Sequence, residues 1–297
     1  MSHSRHTALV RGPQRPLRGV AFFALALLLF ACLDATAKYL TTHYPVPLIA
    51  WVRYAGQFLL MTALIVPFQG RRILVTQRTG LVVLRSMCLV VLTFLMISGL
   101  RLLPLAEATS IVFIAPLLVV LLARPLLQER IGTARAVAVV VGFAGVLLIA
   151  RPGGDLHPGG VALILMAAVL NASYQLLSRL LSTTERTANQ LYWSALLGTV
   201  SFLLFLPWFW SGPAPSLELT LLLLSLGVTG GLGHLCFTLA FRDAPASLLA
   251  PVTYLQLVWA GLLGWLVFGQ LPDALTLTGM LVVALSGVTV TVFGRRA

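Results

Sequence analysis

Leu103-Pro104-Leu105-Ala106 opens one apolar run and Ala244-Pro245-Ala246-Ser247 opens another, and the two prolines stand at matching places in the two halves of the chain. Twenty-five residues after each proline comes a polar side chain, Glu129 in the first half and Gln270 in the second, that ends a helix before a polar turn into a further apolar run. Gly142 and Gly145 then punctuate the run closing the first half, and Gly287 the run closing the second. Working outward from these points, at about 20 apolar residues for each crossing of roughly 30 Å of hydrocarbon, the chain divides into ten spans. They are 18–40, 46–67, 81–101, 103–124, 133–151, 157–181, 187–210, 217–240, 245–268 and 272–293. Five precede the loop Arg151-Pro152-Gly153-Gly154-Asp155 and five follow it. Halves with an odd number of spans must lie in opposite orientations, which is the inverted-repeat plan of many secondary transporters. The expected fold is therefore an all-α integral membrane protein: a tail over 1–17, a first five-helix repeat over 18–151 and a second over 157–293.

Composition points the same way. Of 297 residues, 59% are apolar and 9% charged, whereas soluble domains carry about 25% charged residues. A water-soluble globular domain is excluded. The net charge of +12 would suggest nucleic acid in a soluble chain, but its placement argues for a lipid bilayer and against nucleic acid. With the N-terminus in the cytoplasm, fifteen basic residues, from Arg5 to Arg296, collect in cytoplasmic segments and span ends, against only Arg101 and Arg151 on the other side. Lys38, Arg53 and Arg85 lie deeper inside spans. This bias follows the positive-inside rule and predicts an inner-membrane protein with both termini cytoplasmic. The first apolar run continues past the length of a signal-peptide core, so it reads as an uncleaved first helix. Cys32, Cys88 and Cys236 are far apart within spans, which suits neither a disulfide framework nor a zinc site.

Ionisable and polar side chains inside spans are costly and mark functional candidates. Asp34 and Lys38 are one turn apart, acid before base, the favourable order for a helical pair. With Arg53 they make a charge cluster in the outer third of the membrane, read as a gate or a structural knot and alternatively as a substrate contact. Arg85 lies about one turn inside the third span; it either snorkels to the cytoplasmic surface or lines a vestibule that attracts a carboxylate. Asn171, Tyr174, Gln175 and Ser178 share one face of the sixth helix, by their i, i+3, i+4 and i+7 spacing. Interhelical packing would explain such a stripe; a cavity wall explains it equally, joined by Thr253, Tyr254, Gln256 and Trp259 of span nine and His234 of span eight. His234, beside Gly230, Gly231 and Gly233, is either a packing residue or a proton carrier. Pro116 and Pro251 should kink their helices.

Lys38 is the chain's single lysine, so no phosphate-binding Gly-Lys-Ser/Thr loop exists and P-loop hydrolysis of ATP is excluded. No HExxH or paired-cysteine motif points to a metal, and no cofactor is expected. An intramembrane enzyme would need a nucleophile and base at depth, and Ser173, Ser178, His234 and Asp34 show no motif joining them. A structural membrane subunit would have little use for the polar stripe.

Leu103-Pro104-Leu105-Ala106-Glu107-Ala108-Thr109, Phe113-Ile114-Ala115-Pro116-Leu117 and Gln128-Glu129-Arg130-Ile131-Gly132 resemble the end of the first repeat of EamA-type proteins, in the drug/metabolite transporter superfamily. Gly142-Phe143-Ala144-Gly145-Val146-Leu147-Leu148 before Arg151-Pro152-Gly153 is similar too, as is the pairing of Lys38 with Arg53. Gln270 departs from the acidic residue often found there. The resemblance implies a secondary transporter, not an enzyme, working by alternating access on a small metabolite. It is similar to exporters of amino acids, aromatic ones included; the alternative is uptake or exchange of a nucleoside-like metabolite such as S-adenosylmethionine. Proton coupling and a monomeric or homodimeric state are compatible with it.

The charge bias makes a topology prediction. Single cysteines replacing Gly70, Gly154 and Ala214 should react with a membrane-impermeant thiol reagent in intact cells only at the last two positions. Labelling at 70 from outside, or protection of 154 and 214, would contradict it.

Overall fold

The computed structural model describes residues 16–119, 121, 133–150, 155–182, 184–209, 214–244, 249 and 252–293. Among them are ten long helical segments and no strands: α1 (Pro16–Leu40), α2 (Val46–Gln69), α3 (Thr79–Leu102), α4 (Leu105–Val112), α5 (Thr133–Ala150), α6 (Pro158–Leu181), α7 (Thr187–Phe209), α8 (Leu217–Asp243), α9 (Leu255–Phe268) and α10 (Ala274–Phe293). Six are long and apolar enough to cross a membrane outright, and the other four have shorter apolar stretches, Leu105–Val119 among them. Eight of the expected spans are found with ends shifted by a few residues, while the runs expected over 103–124 and 245–268 are described as the shorter helices Leu105–Val112 and Leu255–Phe268. Residues 122–132, with Glu129, and 245–248, with Pro245, lie outside the described residues, as does Pro251.

Polar caps close the helix ends that the sequence leaves open. His157 Nδ1 accepts from Gly160 N at 3.3 Å at the start of α6, and Asp273 Oδ1 from Thr276 N at 2.9 Å at the start of α10. α9 ends at Gly269, whose φ of 66° a side chain would resist, with Gln270 N bonded to Gly264 O at 3.0 Å. Gln270 thus closes its helix through its backbone.

The packing has a twofold logic. α3 lies along α6 as α8 lies along α1; α2 meets α8 as α7 meets α3; α1 meets α9 as α6 meets α4. α2 with α7, α4 with α9 and α5 with α10 complete the set. Exchanging each helix with the one five places later maps these major packings onto one another, as two inverted five-helix repeats require. Pro245 follows Pro104 by 141 residues, and the same offset carries Phe113 onto Tyr254. Both residues sit at turns that interrupt helix, at 113–114 and 253–254, and their rings touch with centroids 5.6 Å apart. The first turn has a direct cause: Pro116 offers no N–H to the Val112 carbonyl. Close approach is bought with glycine elsewhere: a Cβ at Gly56 would stand 2.7 Å from Gly227 Cα, where α2 crosses α8.

Two buried cations tie the bundle together. Pro104 cannot donate to the Leu100 carbonyl, which would otherwise be orphaned at the end of α3. Lys38 Nζ donates to Leu100 O at 2.7 Å and to Leu103 O at 2.5 Å, stands 5.3 Å from the centre of the Phe268 ring, and lies within Coulombic reach of Glu107. The Asp34–Lys38 pair expected from the helical spacing is therefore not made, because the freed carbonyls claim the ammonium. Arg85, 3% exposed, joins α3 to α6 and α7. Its Nε donates to Ser178 Oγ at 2.7 Å, Nη2 to Tyr174 Oη at 2.7 Å, and Nη1 to Ser194 Oγ at 3.0 Å and Gln190 O at 3.2 Å. At the basic end Arg18 Nε closes an ion pair of 3.3 Å with Asp243, fastening α1 to α8.

Lys38→Met should lower stability by about 2–4 kcal/mol, since it leaves two carbonyls in a water-poor interior without donors, while Lys38→Arg recovers part of the loss. Thermal unfolding in detergent measures both. A Lys38→Met protein that melts with the parent would show that the α3–α4 junction is held by other contacts.

Candidate substrate site

Arg85 neither snorkels nor faces a vestibule. Four of its N–H vectors are engaged by protein oxygens, and its Cζ sits 4.3 Å from the centre of the Tyr174 ring. Tyr174 and Ser178 of the predicted stripe are thereby spent on interhelical packing. The other two members bond to each other, Gln175 Nε2 to Asn171 Oδ1 at 3.3 Å, and remain partly accessible.

Span nine does not join that stripe side by side, because α4 packs against both α6 and α9. Its polar residues also diverge from one another. Tyr254 belongs to the core of α4, α9 and α10, where its hydroxyl fills the place a Cβ on Gly287 would take. Trp259 packs with Phe23 and Leu27 of α1 and Ala240 of α8. Gln256 is 8% exposed, and its Oε1 and the Trp259 Nε1 are buried without a hydrogen bond.

A tighter convergence forms where α1, α2 and α8 cross. Asp34 lies six residues before the end of α1 and Arg53 seven after the start of α2; at 1.5 Å per residue both stand about 9–10 Å below the same end of the bundle. They are within Coulombic reach but close no contact ion pair. His234 of α8 rests edge-on against Phe30 of α1, ring centroids 5.0 Å apart, within reach of the charges of both Arg53 and Arg85. Asp34, Arg53 and His234 keep partial accessibility although they sit deep in their helices, as side chains lining an internal space do. Gln57, one turn beyond Arg53, completes the group, 4% exposed and with its Oε1 directed toward Gly230.

The sequence reading named Asp34, Arg53, His234, Tyr174 and Arg85 but missed Gln57, and Ser194 as a partner of Arg85. Gln57 was legible as the i+4 neighbour of an intramembrane arginine. Ser194 was not, because only the pairing of α3 with α7 brings it near. Among the described residues no group of three or more His, Cys, Asp or Glu side chains is placed to hold a metal ion.

The comparisons agree with this architecture. The model of the EamA-like transporter family matches the chain twice, over residues 17–151 and 158–293. An S-adenosylmethionine uptake transporter of Rickettsia prowazekii (strain Madrid E) is 30% identical over 268 residues, 90% of each chain. A riboflavin transporter of Rhizobium johnstonii is 30% identical over 279 residues, covering 92% of this chain and 90% of its own. A solved crystal structure superposes with a TM-score of 0.65 at 21% identity, over 95% of this chain and 97% of the other, and shares the fold. These relatives are named for uptake of S-adenosylmethionine and for riboflavin, so the expectation of aromatic amino-acid export finds no support among them. With two inverted five-helix halves and a family match over both, the protein is a multi-pass membrane transporter and belongs to the EamA-like transporter family.

Proposed function

We propose that the protein is a secondary transporter that takes up a nucleoside-like metabolite, with S-adenosylmethionine the leading substrate. The observation that carries the reading is the group Asp34, Arg53, Gln57 and His234, which share a space between α1, α2 and α8 without hydrogen bonds to one another or to other described side chains. Polar groups within a span that lack protein partners are costly, and a site that repeatedly receives a polar solute meets that cost. α4 and α9, each interrupted beside Phe113 or Tyr254, supply hinges for alternating access between the repeats. The relatives named for S-adenosylmethionine uptake and for riboflavin favour a heteroaromatic solute on a polar chain over a free amino acid. The basic end faces the cytoplasm in this reading, which places the protein in the inner membrane with both termini inside, and His234 is the residue through which protons would couple to transport.

Purified protein in sealed liposomes should accumulate labelled S-adenosylmethionine saturably without nucleotide, more strongly than phenylalanine or tryptophan, and an imposed pH gradient should change the rate if protons are coupled. Transport of aromatic amino acids with exclusion of S-adenosylmethionine would return the reading to amino-acid export. Flux that required ATP and a further subunit would remove the secondary-transport mechanism.

A further inference from the structure

Of the glycines on this stretch of α8, three are tightly enclosed: a Cβ would meet Gly56 at Gly227, Leu60 at Gly231 and Phe30 at Gly233. Gly230 differs. A Cβ there would stand 3.8 Å from Leu33 Cδ2 and 4.0 Å from Gln57 Oε1, with nothing nearer. Room for a small side chain therefore exists at Gly230, between Leu33 of α1, which precedes Asp34, and Gln57 of α2, one turn beyond Arg53. Asp34 and Arg53 lie at one depth and carry opposite charges, yet they do not collapse into an ion pair. Their neighbours explain why. Arg53 precedes Tyr54, which is anchored the other way by Leu89 O at 3.1 Å and Thr93 Oγ1 at 2.8 Å and stacks on Phe202 at 5.9 Å. Asp34 is held on α1 by Phe30 against α8 on one side and by Lys38 at the α3–α4 junction on the other.

The inverted halves sharpen the point. The offset of 141 that relates Pro104 to Pro245 carries Arg53 onto Ser194 and Asp34 onto Gln175. In the second half the equivalent crossing is filled from within the protein, because Arg85 donates to Ser194, Ser178 and Tyr174. At the α1–α2–α8 crossing the position corresponding to Arg85 is Leu226 of α8, whose side chain has no hydrogen-bonding group. One crossing is satisfied by the chain's own arginine, and the other presents an acid, a guanidinium and an amide without a side-chain hydrogen bond among the described residues.

We propose that Asp34 and Arg53 form a clamp for a zwitterionic amino-acid head group. The Asp34 carboxylate accepts from the ligand's ammonium, the Arg53 guanidinium donates a forked pair of hydrogen bonds to its carboxylate, and Gln57 borders the space on the Gly230 side. The clamp rests on the uptake reading above and selects within it. S-adenosylmethionine carries such a head group, and riboflavin does not. The remainder of the ligand extends along α8 toward His234, which lies within reach of the Arg53 charge.

Binding to purified protein in nanodiscs tests the clamp with S-adenosylmethionine, methionine and phenylalanine as zwitterions, and methylthioadenosine and riboflavin as ligands without the head group. Arg53→Gln and Asp34→Asn should each weaken zwitterion binding roughly 10- to 100-fold, as loss of a charge-assisted hydrogen bond does. Ligands without the head group should be unchanged within about twofold. Gly230→Leu, which fills the space and leaves both charges in place, should abolish zwitterion binding, and it carries the test should a charge variant fail to fold. If methionine or phenylalanine binds in an Asp34- and Arg53-dependent way and S-adenosylmethionine does not, the clamp stands and the nucleoside reading falls. If S-adenosylmethionine binds with equal affinity to the parent and all three variants, that reading stands and the clamp is overturned. Failure of the parent protein to bind any zwitterion also overturns it.

Discussion

Inside a bilayer no water waits to satisfy a stray carbonyl, so a break in a helix must be closed by the protein itself. Pro104 makes such a break between α3 and α4, and the single lysine of the chain is placed to close it, with Lys38 Nζ on the carbonyls of Leu100 and Leu103. Much of the first half follows from that contact. It fixes the end of α1 against the start of α4, brings Phe268 of α9 over the ammonium, and denies Asp34 the helical partner its spacing offers. An acid left without that partner, four residues before the lysine, is what makes the neighbouring space polar.

The two halves share a frame and differ in how charge is placed on it. Packing relations repeat when α1–α5 and α6–α10 are exchanged, and Phe113 meets its counterpart Tyr254 where α4 and α9 are both interrupted. Yet Arg85 is saturated by hydroxyls and a carbonyl, whereas Arg53 has no hydrogen bond among the described residues. A symmetric frame suits alternating access, because equivalent helices can exchange environments. An asymmetric set of polar groups suits a substrate with unlike ends. The satisfied arginine ties the α3–α6–α7 crossing together, and the unsatisfied one is the basis of the proposed recognition site.

Much of the architecture was legible because hydrophobic length and the proline register are local properties. Ten apolar runs, the Pro104 and Pro245 landmarks and the break before Pro116 could all be read without contacts. The site was legible only in part. Intramembrane charge picked out Asp34, Arg53, Arg85 and His234, since depth alone makes them costly. Their partners were not readable, because partners are set by which helices cross. Tyr174 and Ser178, read as a cavity wall, both bond Arg85 across the helices and remain partly accessible. Tyr254 looked like a stacking platform and instead fills a niche made by Gly287. In each case the side chain's partner was decided by a neighbour distant in sequence.

The most direct test of the account is the accessibility of Gly230, where an added Cβ meets nothing nearer than 3.8 Å. In a background with Cys32, Cys88 and Cys236 replaced, Gly230→Cys should react with a small hydrophilic thiol reagent although it lies deep in α8, and S-adenosylmethionine should slow that reaction. A residue that stays unreactive to hydrophilic reagents from both sides of the membrane would contradict a substrate space at the α1–α2–α8 crossing.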